Sequence, residues 1–149
     1  MMLATMKKIL IIDDDYAIRE LLALTLESGY EILKLENGKM ALDFIKEQKP
    51  DLIILDIMMP GIDGFEVCRQ IKEDELTRKI PVIILTAKHQ VEDLKAAIKA
   101  DVDEFITKPF EPDMLLKRVA ENLQGIRKDP AKKLFQDGKS LHYIRELRA

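Results

Sequence analysis

The stretch "LIILDIMMPGIDG", residues 52–64, decides how this chain folds. It opens on four consecutive apolar residues, Leu52, Ile53, Ile54 and Leu55. A strand with one wet face alternates between apolar and polar residues. An unbroken apolar run reads instead as a strand buried on both faces, as in parallel sheets covered by helices. The run ends on Asp56 and then breaks at Pro60, Gly61 and Gly64, which signal a loop. An ionised carboxylate is expensive to bury without a partner. Asp56 is therefore expected where the strand emerges, or against a cation.

The same design recurs on either side. Upstream, "ILII" (9–12) runs into Asp13, Asp14 and Asp15. A helix over about 16–28 follows, with Ile18, Leu21, Leu22, Thr25 and Leu26 along one face and Gly29 at a left-handed C-terminal position. "EILKLE" (31–36) alternates like a half-exposed strand, and "NG" (37–38) leads into a helix carrying Met40, Ala41, Phe44 and Ile45, closed by Pro50. Downstream, Phe65, Cys68 and Ile71 mark a third helix. "PVIILT" (81–86) is a fourth strand, and Leu94, Ala97 and Ile98 face inward from a helix over about 91–100. "EFITK" (104–108) is a fifth strand. Glu111 and Pro112 open a helix with Leu115, Leu116, Val119 and Leu123 inside.

Strict alternation of strand and helix with short connections predicts an α/β fold, a doubly wound, five-stranded parallel sheet, and a sheet of this kind commonly has the order 2-1-3-4-5. Parallel strands send their C-terminal ends to one edge, and ligands bind there beside the point where strand order reverses. That edge collects Asp13, Asp14, Asp56, Thr86 and Lys108. Two carboxylates about 4 Å apart repel by roughly 4 kcal/mol at an effective dielectric near 20. Raised carboxyl pKa values or a bound divalent cation would relieve the repulsion, and hard carboxylate oxygens suit Mg²⁺. Asp15 is expected to cap the first helix, and Asp63 and Gly64 to shape the turn into the third.

Composition agrees with a globular chain. Of 149 residues, 47% are hydrophobic and 34% charged, as expected of a folded domain and not of a disordered segment. No apolar run reaches the ~18 residues of a membrane helix, and MMLATMKK lacks the apolar stretch of a secretory signal, so no membrane association and a cytoplasmic location are expected. The single cysteine, Cys68, is expected in the core. His89 and His142 have no second ligand nearby and are expected at the surface. The net charge of −3 is uneven: residues 125–149 hold seven basic and three acidic side chains, a net +4, leaving −7 for the remainder. An acidic body does not attract nucleic acid, so none is expected to bind this chain by itself.

Taken together, "ILIIDDD", "LIILDIMMPGIDG", "PVIILTA" and "FITKPF", in this order and spacing, resemble the receiver domain of two-component response regulators, a flavodoxin-like, CheY-like fold. The resemblance covers residues 7–124, with residues 125–149 a basic C-terminal extension or linker. It implies that Asp56 is the phosphoacceptor and that Asp14 ligates Mg²⁺. Asp13 would help directly or through water, and the backbone carbonyl of Met58 would add a further ligand. Thr86 resembles the hydroxyl that engages the phosphoryl group, Lys108 the lysine that pairs with Asp56 and its phosphate, and Phe105 the aromatic switch residue. The Lys108–Pro109 bond is often cis in this family. Met58 and Lys88 resemble the side chains that flank the hydrolytic water and set the phosphoryl lifetime.

The resemblance implies a regulatory switch and not a metabolic enzyme. Its implied partners are a sensor histidine kinase or histidine phosphotransfer protein, and a downstream effector or output domain. A homodimer through the face of the fourth helix, fifth strand and fifth helix is a further implied partner. One departure stands out: where the family usually has Gly-Ala before the fifth strand, this chain has Asp101 and Val102. A positive φ at position 101 would suit Asp better than most residues but less well than Gly, so that loop is expected to be strained or reshaped. An alternative reading is a Mg²⁺-dependent phosphohydrolase with an aspartyl-phosphate intermediate, but its nucleophile would lie on the first strand, within a DxD-type motif. A flavodoxin-type cofactor binder would carry a Ser/Thr-rich loop where this chain has "DDDYA".

Overall fold

The computed structural model describes residues 5–87 and 90–125. Along the chain the elements are β1 (Lys8–Ile12), α1 (Tyr16–Leu26), β2 (Glu31–Leu35), α2 (Ala41–Gln48), β3 (Leu52–Leu55), β4 (Met58–Met59), β5 (Ile62–Asp63), α3 (Gly64–Glu73), β6 (Val82–Thr86), α4 (Val91–Lys99), β7 (Glu104–Thr107) and α5 (Pro112–Leu123). Five of the strands form one parallel sheet in the order β2-β1-β3-β6-β7. This is the predicted 2-1-3-4-5 order. The two short strands β4 and β5 pair only with each other, as an antiparallel hairpin around Gly61 at φ 79°. Two-residue strands carry too little pattern to be read from sequence.

The apolar runs are buried on both sides because helices cover both sides. Leu10, Ile12, Ile53, Leu55, Ile84 and Phe105 pack against Ala41 and Ile45 of α2, Phe65, Cys68 and Ile71 of α3, and Leu94 and Ala97 of α4. The alternate residues Ile9, Ile11, Leu52, Ile54, Ile83 and Ile106 pack against Leu22, Ala23 and Leu26 of α1 and Leu115 and Val119 of α5. Period-two alternation between two dry cores is what makes β1, β3 and β6 read as unbroken apolar runs. Cys68 is fully buried, its thiol pushed up to about 12 by burial. Among the described residues, no helix is long and apolar enough to cross a membrane.

Several boundaries and facings differ from the sequence reading. The first helix ends at Leu26, and Glu27 closes it in right-handed conformation, its N–H donating to the Ala23 carbonyl. Gly29 is not left-handed; that conformation falls to Lys49 after α2 (φ 52°) and to Asp101 (φ 59°). Leu21, Met40, Ile98 and Leu116 are exposed. Met40 stands before α2 as its cap residue. Each of the other three adjoins a buried neighbour, and one residue turns a helix by about 100°, off the narrow stripe that meets the sheet. Strand β3 stops at Leu55 and β7 at Thr107, so Asp56 and Lys108 stand just past the strands.

Asp101 takes the left-handed turn expected of that position, and β7 still begins at Glu104. The connection into β7 is also tied from outside: Asp103 Oδ2 accepts from Lys72 Nζ (2.7 Å) and from the Val82 N–H (2.8 Å). Val102 is buried. Lys88 and His89 lie outside the described residues. So does the extension over 125–149, apart from Gly125, and His142 with it.

Candidate functional site

Register brings the acids together. Ile12 of β1 pairs with Leu55 of β3, so the next residues, Asp13 and Asp56, leave the sheet side by side. The Asp56 N–H donates to the Ile12 carbonyl at 2.9 Å, and the Asp13 N–H to the Leu35 carbonyl at 3.2 Å. On the other side of β3, Thr86 ends β6 and pairs with Thr107 of β7. The Lys108 N–H then donates to the Thr86 carbonyl at 2.8 Å. That bond fixes the backbone from which the Lys108 side chain reaches back over the sheet.

The ammonium of Lys108 donates to Asp13 Oδ2 at 2.9 Å and to Asp56 Oδ2 at 3.1 Å. Both acids are buried, 2% and 5% exposed, so this bridge is what makes their position tolerable. Their second oxygens are also engaged. Asp56 Oδ1 accepts from the Met58 N–H (3.0 Å), and Asp13 Oδ1 from the Asp15 N–H (2.9 Å). Asp15 caps α1, its Oδ1 accepting from the N–H groups of Ala17 and Ile18. Asp63 caps α3 through the Phe65 N–H. The Asp15 cap matches the sequence reading, and Asp63, expected to shape the turn into α3, does so as its cap.

Electrostatics make the bridge unequal. Burial pushes the Asp13 carboxyl above its usual range and the Asp56 charge adds to the rise, against the opposing pull of the Asp15 amide and Lys108. Burial would by itself lower the Lys108 pKa, but its hydrogen bonds and the charges of Asp13 and Asp56 outweigh that and raise it. Lys108 is thus held charged more firmly than Asp13.

Asp14 is exposed, and its carboxylate joins those of Asp13 and Asp56 with one oxygen from each, all within 4.8 Å of one another. Octahedral Mg²⁺ with bonds near 2.0–2.1 Å places its ligands roughly 3–4 Å apart. Three hard carboxylate oxygens within 4.8 Å of one another are the donor set such an ion takes. Beside the acids lies an open cleft of about 650 Å³, lined by Asp14, Met58, Met59, Phe65, Asp93 and Ala96.

The structure thus gathers Asp13, Asp14, Asp56 and Lys108, with Thr86 at the same edge. Met58 is half exposed in the β4–β5 hairpin beside them. Phe105 is buried in β7, paired with Ile84 and on the sheet face that carries α4. The Lys108–Pro109 peptide is cis.

Two arrangements escaped the sequence reading. Glu104, 1% exposed, is held by Arg118 and by Asn122 Nδ2 (2.6 Å) of α5. Arg19 of α1 donates from Nη1 to the Asp13 main-chain oxygen at 2.7 Å. A lone charge in a helix carries no pattern that names its partner, although the i, i+4 spacing of Arg118 and Asn122 is available as a hint.

Comparison with known proteins identifies the family and the fold. The family model of the response regulator receiver domain matches residues 9–120. The phosphate regulon transcriptional regulatory protein PhoB of Pseudomonas aeruginosa is 47% identical over 114 residues, covering 76% of this chain and 50% of that protein. The DNA-binding dual master transcriptional regulator RpaA of Synechocystis is 40% identical, covering 84% of this chain and 52% of that protein. The chain spans about half the length of these curated relatives. A CheY-like response regulator receiver domain protein from Methanospirillum hungatei superposes with a TM-score of 0.76 at 30% identity, covering 81% of this chain and 96% of that one.

Proposed function

Because the chain belongs to the response-regulator receiver family of two-component signalling, we propose that it is a phosphorylation-dependent switch in which Asp56 accepts the phosphoryl group. The observation that carries this reading is the single ammonium of Lys108 shared between Asp56 and Asp13 at the strand ends, with Asp14 beside them. In this reading the receiver spans residues 7–124, with 125–149 as a basic extension or linker.

A carboxylate oxygen of Asp56 attacks phosphorus in line. The new P–O bond forms as the bond to the donor breaks, and the electron pair leaves on the donor's imidazole nitrogen or carboxylate. Phosphoryl transfer of this kind asks mostly for positioning and charge neutralisation. The donor is a phosphohistidine on a sensor histidine kinase or phosphotransfer protein, or a small acyl phosphate. Asp14 would hold Mg²⁺ directly, with Asp56 and the Met58 carbonyl. Asp13, already engaged on both oxygens, would contribute a remaining lone pair or act through water. Bound there, the ion would supply positive charge to the phosphoryl oxygens. Lys108 supplies the protein's own cation, and the Met58 N–H keeps Asp56 oriented.

Phosphorylation adds about one negative charge and several acceptor oxygens at Asp56. The Thr86 hydroxyl turns toward them. Phe105 lies on the same sheet face and follows into the space this opens. The face of α4, β7 and α5 then changes packing, a population shift between two arrangements that an effector, an output domain or a second copy of the chain reads. The named relatives are transcriptional regulators, so transcription is the output we assign to a longer protein carrying this receiver.

Intact mass after incubation with acetyl phosphate and Mg²⁺ tests the assignment. One phosphoryl group per chain is expected on the wild type and none on Asp56→Asn. Labelling of the Asn variant would overturn the acceptor, and continuous turnover of simple phosphate esters would favour a phosphohydrolase.

A further inference from the structure

Asp13 and Asp14 reach the site by different means. Asp13 is pinned on both oxygens, by the Asp15 N–H and by Lys108. Among the described residues, no hydrogen bond or ion pair holds the Asp14 carboxylate, and the side chain is exposed. What the fold can fix of Asp14 is therefore its backbone, the point from which its side-chain rotamers start. The Asp13 carbonyl and the Asp14 N–H belong to one planar peptide unit, so fixing that oxygen fixes the plane from which the Asp14 side chain projects. The group that fixes it is Arg19, whose Nη1 sits 2.7 Å from the Asp13 oxygen. The guanidinium is itself held, with its carbon 5.7 Å from the centre of the Tyr16 ring, within the range of a cation–π contact.

We propose that Arg19 is a positioning residue of the acidic site: by clamping the Asp13–Asp14 peptide it holds the backbone from which Asp14 reaches a divalent cation. The inference rests on the reading of these acids as a Mg²⁺ site. It has a sign that simple electrostatics does not share. A positive charge beside three carboxylates repels a cation, so if charge were all that Arg19 contributed, removing it would tighten Mg²⁺ binding. If Arg19 positions Asp14, removing it weakens binding, as loss of a group that orients a metal ligand does elsewhere by about 10-fold or more.

The test is calorimetric titration of the whole chain with MgCl₂ for the wild type, Arg19→Ala, Arg19→Lys and Tyr16→Leu. The expected result is about 10-fold weaker binding for the Ala variant. The Lys variant, which keeps a donor able to reach the carbonyl, should recover much of it. The Leu variant should show a smaller loss in the same direction. Labelling by acetyl phosphate should slow at low Mg²⁺ and return to the wild-type rate at saturating Mg²⁺.

A readout without metal is hydrogen exchange at the Asp15 amide, bonded to the Asp13 carboxylate of the same turn, which should speed up in Arg19→Ala. Unchanged or tighter Mg²⁺ binding in that variant would overturn the inference. Should it fail to fold, unchanged Mg²⁺ binding by Tyr16→Leu together with an unchanged exchange rate of the Asp15 amide in that variant would overturn it. Failure of the wild type to bind Mg²⁺ would instead strike the acceptor reading itself, and this inference with it. Normal wild-type binding and labelling beside a silent Arg19→Ala would remove this inference alone.

Discussion

Lys108 Nζ lies 2.9 Å from Asp13 Oδ2 across 95 residues of sequence, and the same ammonium reaches Asp56 Oδ2 at 3.1 Å. One cation therefore serves two buried acids that parallel strand pairing forces to be neighbours. Removing it should cost about 3 kcal/mol, because a buried charge deprived of its partner is penalised more than the pair was worth. Lys108→Met should accordingly lower the urea midpoint at neutral pH. The loss should shrink on adding Mg²⁺ and as falling pH protonates the acids.

Asp13 gives a pH signature. Its folded-state pKa is raised above 3.8, chiefly by burial. The folded protein thus keeps the Asp13 proton to a higher pH than the unfolded chain does. Stability from this group is present at low pH and is lost as pH rises through the window from 3.8 to the raised value. Asp13→Asn removes that loss. The difference in unfolding free energy between variant and wild type, measured without Mg²⁺, should move in favour of the variant as pH rises through that window. Lys108, also raised, keeps its contribution below its ordinary pKa of 10.5 and loses it only above.

Gly64 couples packing to Asp56, the proposed acceptor. A Cβ there would stand 2.5 Å from Ile57 Cα and 2.6 Å from the Asp56 carbonyl oxygen, both main-chain atoms that cannot swing aside. Gly64→Ala should cost about 2–3 kcal/mol and slow acetyl phosphate labelling, since the strain falls on the peptide after Asp56. Gly29 has nothing within 4 Å and no positive φ. Gly29→Ala should raise stability by about 0.4–1 kcal/mol through the unfolded chain. Chemical denaturation of the two variants checks both signs.

The facing of α1 can be tested with adjacent leucines. Leu22 is 1% exposed and Leu21 48%. Leu22→Ala should cost about 2–5 kcal/mol, and Leu21→Ala within about 0.5–1 kcal/mol. Equal losses would contradict the register of this helix on the sheet.

How far the sequence can be read depends on how many neighbours a residue must answer to. In "LIILD" every apolar side chain meets a helix or an adjacent strand, so the pattern is dictated on both faces and the strand is plain from its residues. Helices α1, α4 and α5 meet the sheet along one stripe only. Their existence is legible, but Leu21, Ile98 and Leu116 sit beside that stripe, and apolar identity alone does not separate stripe from flank. Gly29 invites a left-handed turn that the chain makes instead at Lys49 and Asp101, because a glycine permits that conformation without requiring it.

Local periodicity and chain direction were enough to specify the alternation of strands and helices. From that alternation follow the parallel sheet and the edge to which Asp13, Asp14, Asp56, Thr86 and Lys108 all belong, while the strand order 2-1-3-4-5 was the common one for such a sheet and the folded chain adopts it. The pairings at and around that edge came from the folded chain alone: Lys108 spans two acids, Arg118 turns to Glu104 while its neighbour Val119 is buried against the sheet, and Arg19 clamps the Asp13 carbonyl. Each side chain's partner there is set by strand register and helix docking, which no local pattern of side chains encodes.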